Sequence, residues 1–133
     1  MLPPIVPYLT VKDARSALDF YGRALGAETL MILEEDSVIS HARARIAGGV
    51  IMLYEEKTGA PDSNRAPEAL GGSPVAIRLE LRTAERVDAT AAQCIEAGAE
   101  TVIAPTDRPW GRLAEIRDPQ GHIWRLAAST VEE

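Results

Sequence analysis

The tetrapeptide Gly26-Ala27-Glu28-Thr29 recurs as Gly98-Ala99-Glu100-Thr101, an offset of 72 residues that also carries Gly49 onto Gly121 and Ile51 onto Ile123. Each copy follows a helical pattern and precedes a strand-like one. The chain therefore reads as two tandem βαβββ modules, a paired unit and not a solenoid, which needs at least three copies. This limits the fold more than any other feature, because two equivalent half-structures must share one core.

In the first copy, residues 5–11 alternate, with Pro7, Leu9 and Val11 on one face and Val6, Tyr8 and Thr10 on the other. Pro7 is awkward in a central strand. Asp13 is placed to cap a helix over 14–25, in which Ala17, Leu18, Tyr21 and Leu25 share a face, and Gly26 stops it. Strands follow at 29–34, 38–46 and 50–54. In the middle one Ala42, Ala44 and Ile46 share a face and leave His41, Arg43 and Arg45 on the other. Residues 57–73, rich in Pro, Gly, Asn, Asp and Ala, form a linker, either mobile or a lid over a site.

The second copy has a strand at 75–81, a helix over 84–97 capped by Thr83 and ended by Gly98, a short strand at 101–104 and a loop at 105–109. It closes with a hairpin, Trp110 to Leu126, whose turn is Asp118-Pro119-Gln120-Gly121. Pro presets φ, Asp can bond the backbone two residues on, and Gly leaves the turn without a steric penalty.

At 133 residues and 46% apolar content there is material for a real core. The net charge of −6 argues against a nucleic-acid partner, which demands a positive footprint. No segment approaches the ~18 uninterrupted apolar residues of a membrane span, so no membrane partner and a cytoplasmic location are expected. Cys94 is the single cysteine, which removes disulfides and Cys-based metal sites within one chain; its neighbours Ala91, Ala92 and Ile95 suit a buried inert thiol.

The set Pro7-Tyr8-Leu9-Thr10-Val11 with Asp13-Ala14, Ala17-Leu18-Asp19-Phe20-Tyr21 with Leu25-Gly26-Ala27-Glu28, His41 with Ile46, and Arg117-Asp118-Pro119-Gln120-Gly121-His122 with Trp124 resembles the vicinal oxygen chelate superfamily. That superfamily includes glyoxalase I, bleomycin-resistance proteins and extradiol dioxygenases, and the look is closest to its PhnB-like branch. The resemblance implies an α+β fold: paired βαβββ modules, about 5–56 and 74–128, in one glyoxalase/bleomycin-resistance-like domain over 1–133. Their strands form an open, cup-shaped mixed sheet with helices outside and a ligand cavity inside. It also implies a homodimer. Function follows less directly, since one scaffold hosts many chemistries.

Metal-dependent members place a His in the first strand of each module and a carboxylate near the end of each. On this chain those positions read Val6, Ala76, Met52 or Leu53, and Arg125, which supply no suitable set of oxygen or nitrogen ligands. No metal and no other cofactor is expected.

Alternation then puts Tyr8, Thr10, His41, Arg43, Arg78, Glu80, Leu113, Glu115 and Arg125 on the face away from the helices, with Trp110 at a loop mouth. Of these, Tyr8, His41, Arg43, Arg78, Trp110, Glu115 and Arg125 are the candidate ligand-binding residues. An inward Arg125 needs a carboxylate partner, Glu115 or Glu80, or an anionic ligand group. His41 is either a general base or a hydrogen-bonded structural histidine; His41 and Glu115 are the weak catalytic candidates. His122 follows the parity of Trp124 and goes to the helix side or the surface. The expected function is metal-free binding of a small organic ligand in a dimeric cup, with lyase, isomerase or dioxygenase-type catalysis as the alternative.

Overall fold

The computed structural model describes residues 2–57 and 64–130. Residues 58–63 of the expected linker lie outside them. The elements run β1 (Tyr8–Val11), α1 (Ala14–Leu25), β2 (Glu28–Glu35), β3 (Val38–Ile46), β4 (Gly49–Glu55), α2 (Pro67–Leu70), β5 (Ala76–Glu80), α3 (Ala84–Glu96), β6 (Glu100–Arg108), β7 (Gly111–Arg117) and β8 (Ile123–Ser129). Two βαβββ modules are present. Each makes a four-stranded mixed sheet, ordered β1-β4-β3-β2 and β5-β8-β7-β6, in which the first and last strands of a module are parallel and the other pairs antiparallel.

The fixed 72-residue offset does not hold through the strands. Tyr8 pairs with Met52, 44 positions on, whereas Ala76 pairs with Ile123, 47 positions on. Gly121 (φ 94°), just ahead of β8, therefore matches Gly48 (φ 83°) and not Gly49. Likewise buried Ile51 matches buried Trp124, while Ile123 is only half-buried on the other face.

Other differences have local causes. β1 begins at Tyr8 and not at residue 5, although the Pro7 carbonyl still accepts from the Met52 amide at 2.9 Å. β6 continues through the expected 105–109 loop to Arg108; as an edge strand it tolerates Pro105, and its register with β7 slips between Ile103 and Thr106. α3 ends at Glu96 with Ala97 as its cap, so Gly98 (φ 114°) follows the cap instead of forming it. The irregular stretch holds the short helix α2, started by Pro67.

Asp13 and Thr83 cap α1 and α3 by accepting from the amides of Ser16 and Arg86. The helix faces that alternation assigned to the interior meet in one buried cluster drawn from both modules, with Tyr21, Leu53, Ile116, Trp124 and Leu126 among its large members. The Tyr21 and Trp124 rings lie 5.4 Å apart across the junction. At ~25 cal/mol per Å² of apolar surface, aromatics of this size carry several kcal/mol each of the burial that joins the modules.

The closing hairpin turn is the polar half of that junction. The Asp118 carboxylate, only 3% exposed, accepts from the Tyr21 hydroxyl at 2.6 Å and the Trp124 indole N–H at 2.9 Å through one oxygen. Its other oxygen accepts from the amides of Gln120 and His122 at 2.8 and 3.1 Å. Gln120 Oε1 in turn accepts from the amides of Lys12 and Asp13, and His122 Nε2 donates to the Thr10 carbonyl at 2.8 Å. His122 therefore reaches across to module one. α2 packs on the same turn: a Cβ on Gly121 would stand 2.8 Å from Pro67 Cβ.

Candidate functional site

On the face of the first sheet away from α1, β1 presents Tyr8 and β3 presents His41 and Arg43. The Tyr8 hydroxyl lies 2.8 Å from His41 Nδ1, and Arg43 Nε lies 3.0 Å from His41 Nε2. Arg43 can only donate, so Nε2 must be the bare nitrogen and Nδ1 carries the proton. Nδ1 then donates to the Tyr8 oxygen, which leaves the Tyr8 proton pointing outward to be given away. Burial, and then the neighbouring Arg43 charge, hold His41 below its ordinary 6.5, so the ring is neutral at neutral pH. Tyr54 packs edge-on against Tyr8 at 5.1 Å, and Tyr8 edge-on against His41 at 5.6 Å. Among the described residues Arg43 has no carboxylate partner.

The second sheet spends its charges internally. Arg125 Nε donates to Glu115 at 2.7 Å, which settles its partner as Glu115 and not Glu80. Arg78 pairs with Glu80 at 2.9 Å and lies under the Trp110 ring, its guanidinium carbon 5.0 Å from the centroid. Glu80 also accepts from the Ser129 amide at 3.0 Å. Burial would raise the Glu80 carboxyl, but that hydrogen bond and Arg78 outweigh it and leave Glu80 below its usual value. Trp110, in the turn between β6 and β7, thus roofs Arg78, and Glu115 is held by Arg125 instead of standing ready as a base.

The positions that hold a metal in the resembling family do not fit one here. Met52 sits beside Tyr8 on the open face, whereas Leu53 is fully buried on the helix side, so Met52 occupies the module-one carboxylate position. With Val6, Ala76 and an ion-paired Arg125 as the other three, there is no imidazole, carboxylate or thiolate to offer, and a cation would meet the guanidinium's repulsion. Among the described residues no three His, Cys, Asp or Glu side chains converge elsewhere.

Between β1, β5 and the end of the linker opens a cavity of about 520 Å³, walled by Tyr8, Leu9, Pro67, Val75, Ile77 and Ile123, with His122 at its side. Its size falls in the range of small-molecule sites. Tyr8 belongs both to this cavity and to the His41 and Arg43 chain. Of the cavity residues only Tyr8 was among the expected binding residues. The apolar ones come from the helix-side face (Leu9, Ile77), from the opposite face (Ile123) and from the linker, so strand parity alone has no means to bring them together. Tyr54 was legible, since it shares the parity of Met52 on β4.

Comparison with known proteins places these features in context. A sequence-family model described as Glyoxalase/Bleomycin resistance protein/Dioxygenase superfamily matches residues 2–126. The Mycobacterium bovis protein Mb0911c, whose function is uncharacterised, is 39% identical over 133 residues, covering 98% of this chain and 86% of its own length. The structure of the SA1046 protein of S. aureus superposes with a TM-score of 0.74 at 24% identity, covering 96% of this chain and 95% of that one. A PhnB protein from Bacillus cereus gives a TM-score of 0.72 at 16% identity, covering 96% of this chain and 100% of that one. These solved structures are alike in fold.

Proposed function

This chain belongs to the Glyoxalase/Bleomycin resistance protein/Dioxygenase superfamily, and we propose that within it the protein is a metal-free binder that sequesters or carries a small organic ligand in its cup, as a homodimer in the cytoplasm. The observation that carries this is the exchange of a metal donor set for an organic one. Where the family pattern would gather imidazole and carboxylate, the open face holds Val6, Met52, Ala76 and a paired Arg125, and beside them the Tyr8, His41 and Arg43 chain. The exposed Leu30, Met31 and Leu33 of the edge strand β2 support a partner copy, because an apolar edge left open invites pairing.

The lyase, isomerase or dioxygenase reading has one point in its favour, a neutral imidazole beside a phenol. Yet Nε2 of His41 already accepts from Arg43, so it has no lone pair free to take a substrate proton. Binding therefore stands first. Thermal unfolding of the purified protein with manganese, nickel or zinc, and with a chelator, tests it: the proposal expects the same midpoint in all four. A midpoint that rises with one metal at stoichiometric concentration and falls with chelator would put the enzyme reading first.

A further inference from the structure

The two halves of the site described above share one residue, and that sharing specifies a ligand. Tyr8 forms part of the wall of the cavity at the β1/β5 junction and carries at its hydroxyl the chain through His41 to Arg43. Arg125 is occupied by Glu115, Arg78 by Glu80 and Trp110, Arg45 by Glu28, and Arg65, which lines the cavity itself, by Glu56. Arg43 is half-buried and uses only Nε, on the neutral His41 nitrogen, so its terminal N–H groups remain available among the described residues. We propose that the cup selects an amphiphilic organic anion: a carboxylate or similar planar oxyanion held by Arg43, a hydrogen-bond acceptor met by the outward proton of Tyr8, and an apolar body lodged in the cavity. The inference rests on the binding reading and deepens it, moving the anion-selecting role from Arg125 to Arg43.

His41 is the positioning residue in this scheme. A neutral ring adds no charge of its own, fixes the guanidinium at Nε and turns the Tyr8 proton outward. The planar fork of Arg43, whose terminal nitrogens have no partner among the described residues, has the geometry that matches a carboxylate. Apolar walls supplied by Leu9, Val75, Ile77 and Ile123 favour an aryl or alkyl body over a polar one.

Isothermal titration with 2-naphthoate and octanoate, against 2-naphthalenemethanol and octanol, tests the proposal on the intact chain. The acids should bind at least ~10-fold more tightly than the alcohols, the factor that ~1.4 kcal/mol of charge-assisted bonding provides. Arg43→Gln should erase that difference, the acids losing far more affinity than the alcohols, and Tyr8→Phe should weaken the acids severalfold. Val75→Trp, at an exposed rim position, should block both classes. Nitrogen NMR of His41 reports folding and the tautomer independently: the protonated nitrogen should be Nδ1 in the wild type. If acids and alcohols bind equally and Arg43→Gln changes neither, the anion assignment falls while cup binding survives. If neither class binds, or Val75→Trp leaves binding intact, the assignment falls also, and native mass measurement of co-purified ligand decides the broader reading separately.

Discussion

Replacing Asp118 should be the most destabilising polar substitution among the described residues, out of proportion to its place in a hairpin turn. Its carboxylate collects four hydrogen bonds, from Tyr21, Trp124 and the amides of Gln120 and His122, while 3% exposed. Asp118→Ala orphans a buried hydroxyl and a buried indole N–H at ~1–3 kcal/mol each and removes both turn bonds, so about 4 kcal/mol in total is expected. Asp118→Asn keeps one oxygen for the turn amides but turns an NH₂ toward the Trp124 N–H, two donors face to face; ~2 kcal/mol follows from one lost charge-assisted bond. Urea unfolding followed by tryptophan fluorescence measures both, and Tyr21→Phe completes a double-mutant cycle with Asp118→Asn, expected to show coupling of ~1 kcal/mol or more. The Asp118→Ala loss corresponds to a drop in Tm on the order of 10–20 °C. A loss below ~1 kcal/mol would refute the claim that this turn staples the modules.

Tyr21 is held well above its ordinary 10, first by burial and then by the Asp118 charge. Since the unfolded chain ionises first, Tyr21 contributes stability that is intact below pH 10 and is lost as pH rises beyond it; urea midpoints from pH 9 to 11 should fall in the wild type and stay flatter in Tyr21→Phe. His41, held below 6.5 by burial and Arg43, behaves the other way: its contribution is present above pH 6.5 and is lost as pH falls, and an NMR titration should place its midpoint under 6.5, a higher value contradicting the Arg43 bond. Burial, then the Asp118 charge, pushes the Cys94 thiol up to about 11, so a thiol reagent at pH 8 should label it only after unfolding; labelling of the folded protein would show the helix interface to be open.

The periodicity of the sequence was sufficient for element type and module count because each helix and strand has one strongly apolar face, and burial rewards only one register of it. Tandem Gly26 and Gly98 marked the two helix ends. The constant offset misled between Gly49 and Gly121, because β1 and β5 pair with their modules' last strands at different separations, which tetrapeptide matching cannot register. Tyr8, His41 and Arg43 were legible as neighbours by parity; the direction of their hydrogen bonds was not, since it depends on the rotamers of three side chains from two strands. Arg125 was ambiguous for the same reason, as Glu115 and Glu80 both lay in reach and only the register of β7 against β8 puts Glu115 opposite it. The bond of His122 to module one was not legible, because it depends on the turn claiming the residue's amide and carbonyl, which delays β8 to Ile123 and leaves the ring to reach Thr10.

Metal-free ligand binding is tested most directly by elemental analysis and native mass spectrometry on the same protein, purified without chelator. The account predicts no transition metal at stoichiometric level and, on some or all chains, an extra organic mass that is lost on denaturation. One zinc, nickel, manganese or iron per chain, retained through purification and released when Arg125 or Met52 is altered, would contradict it.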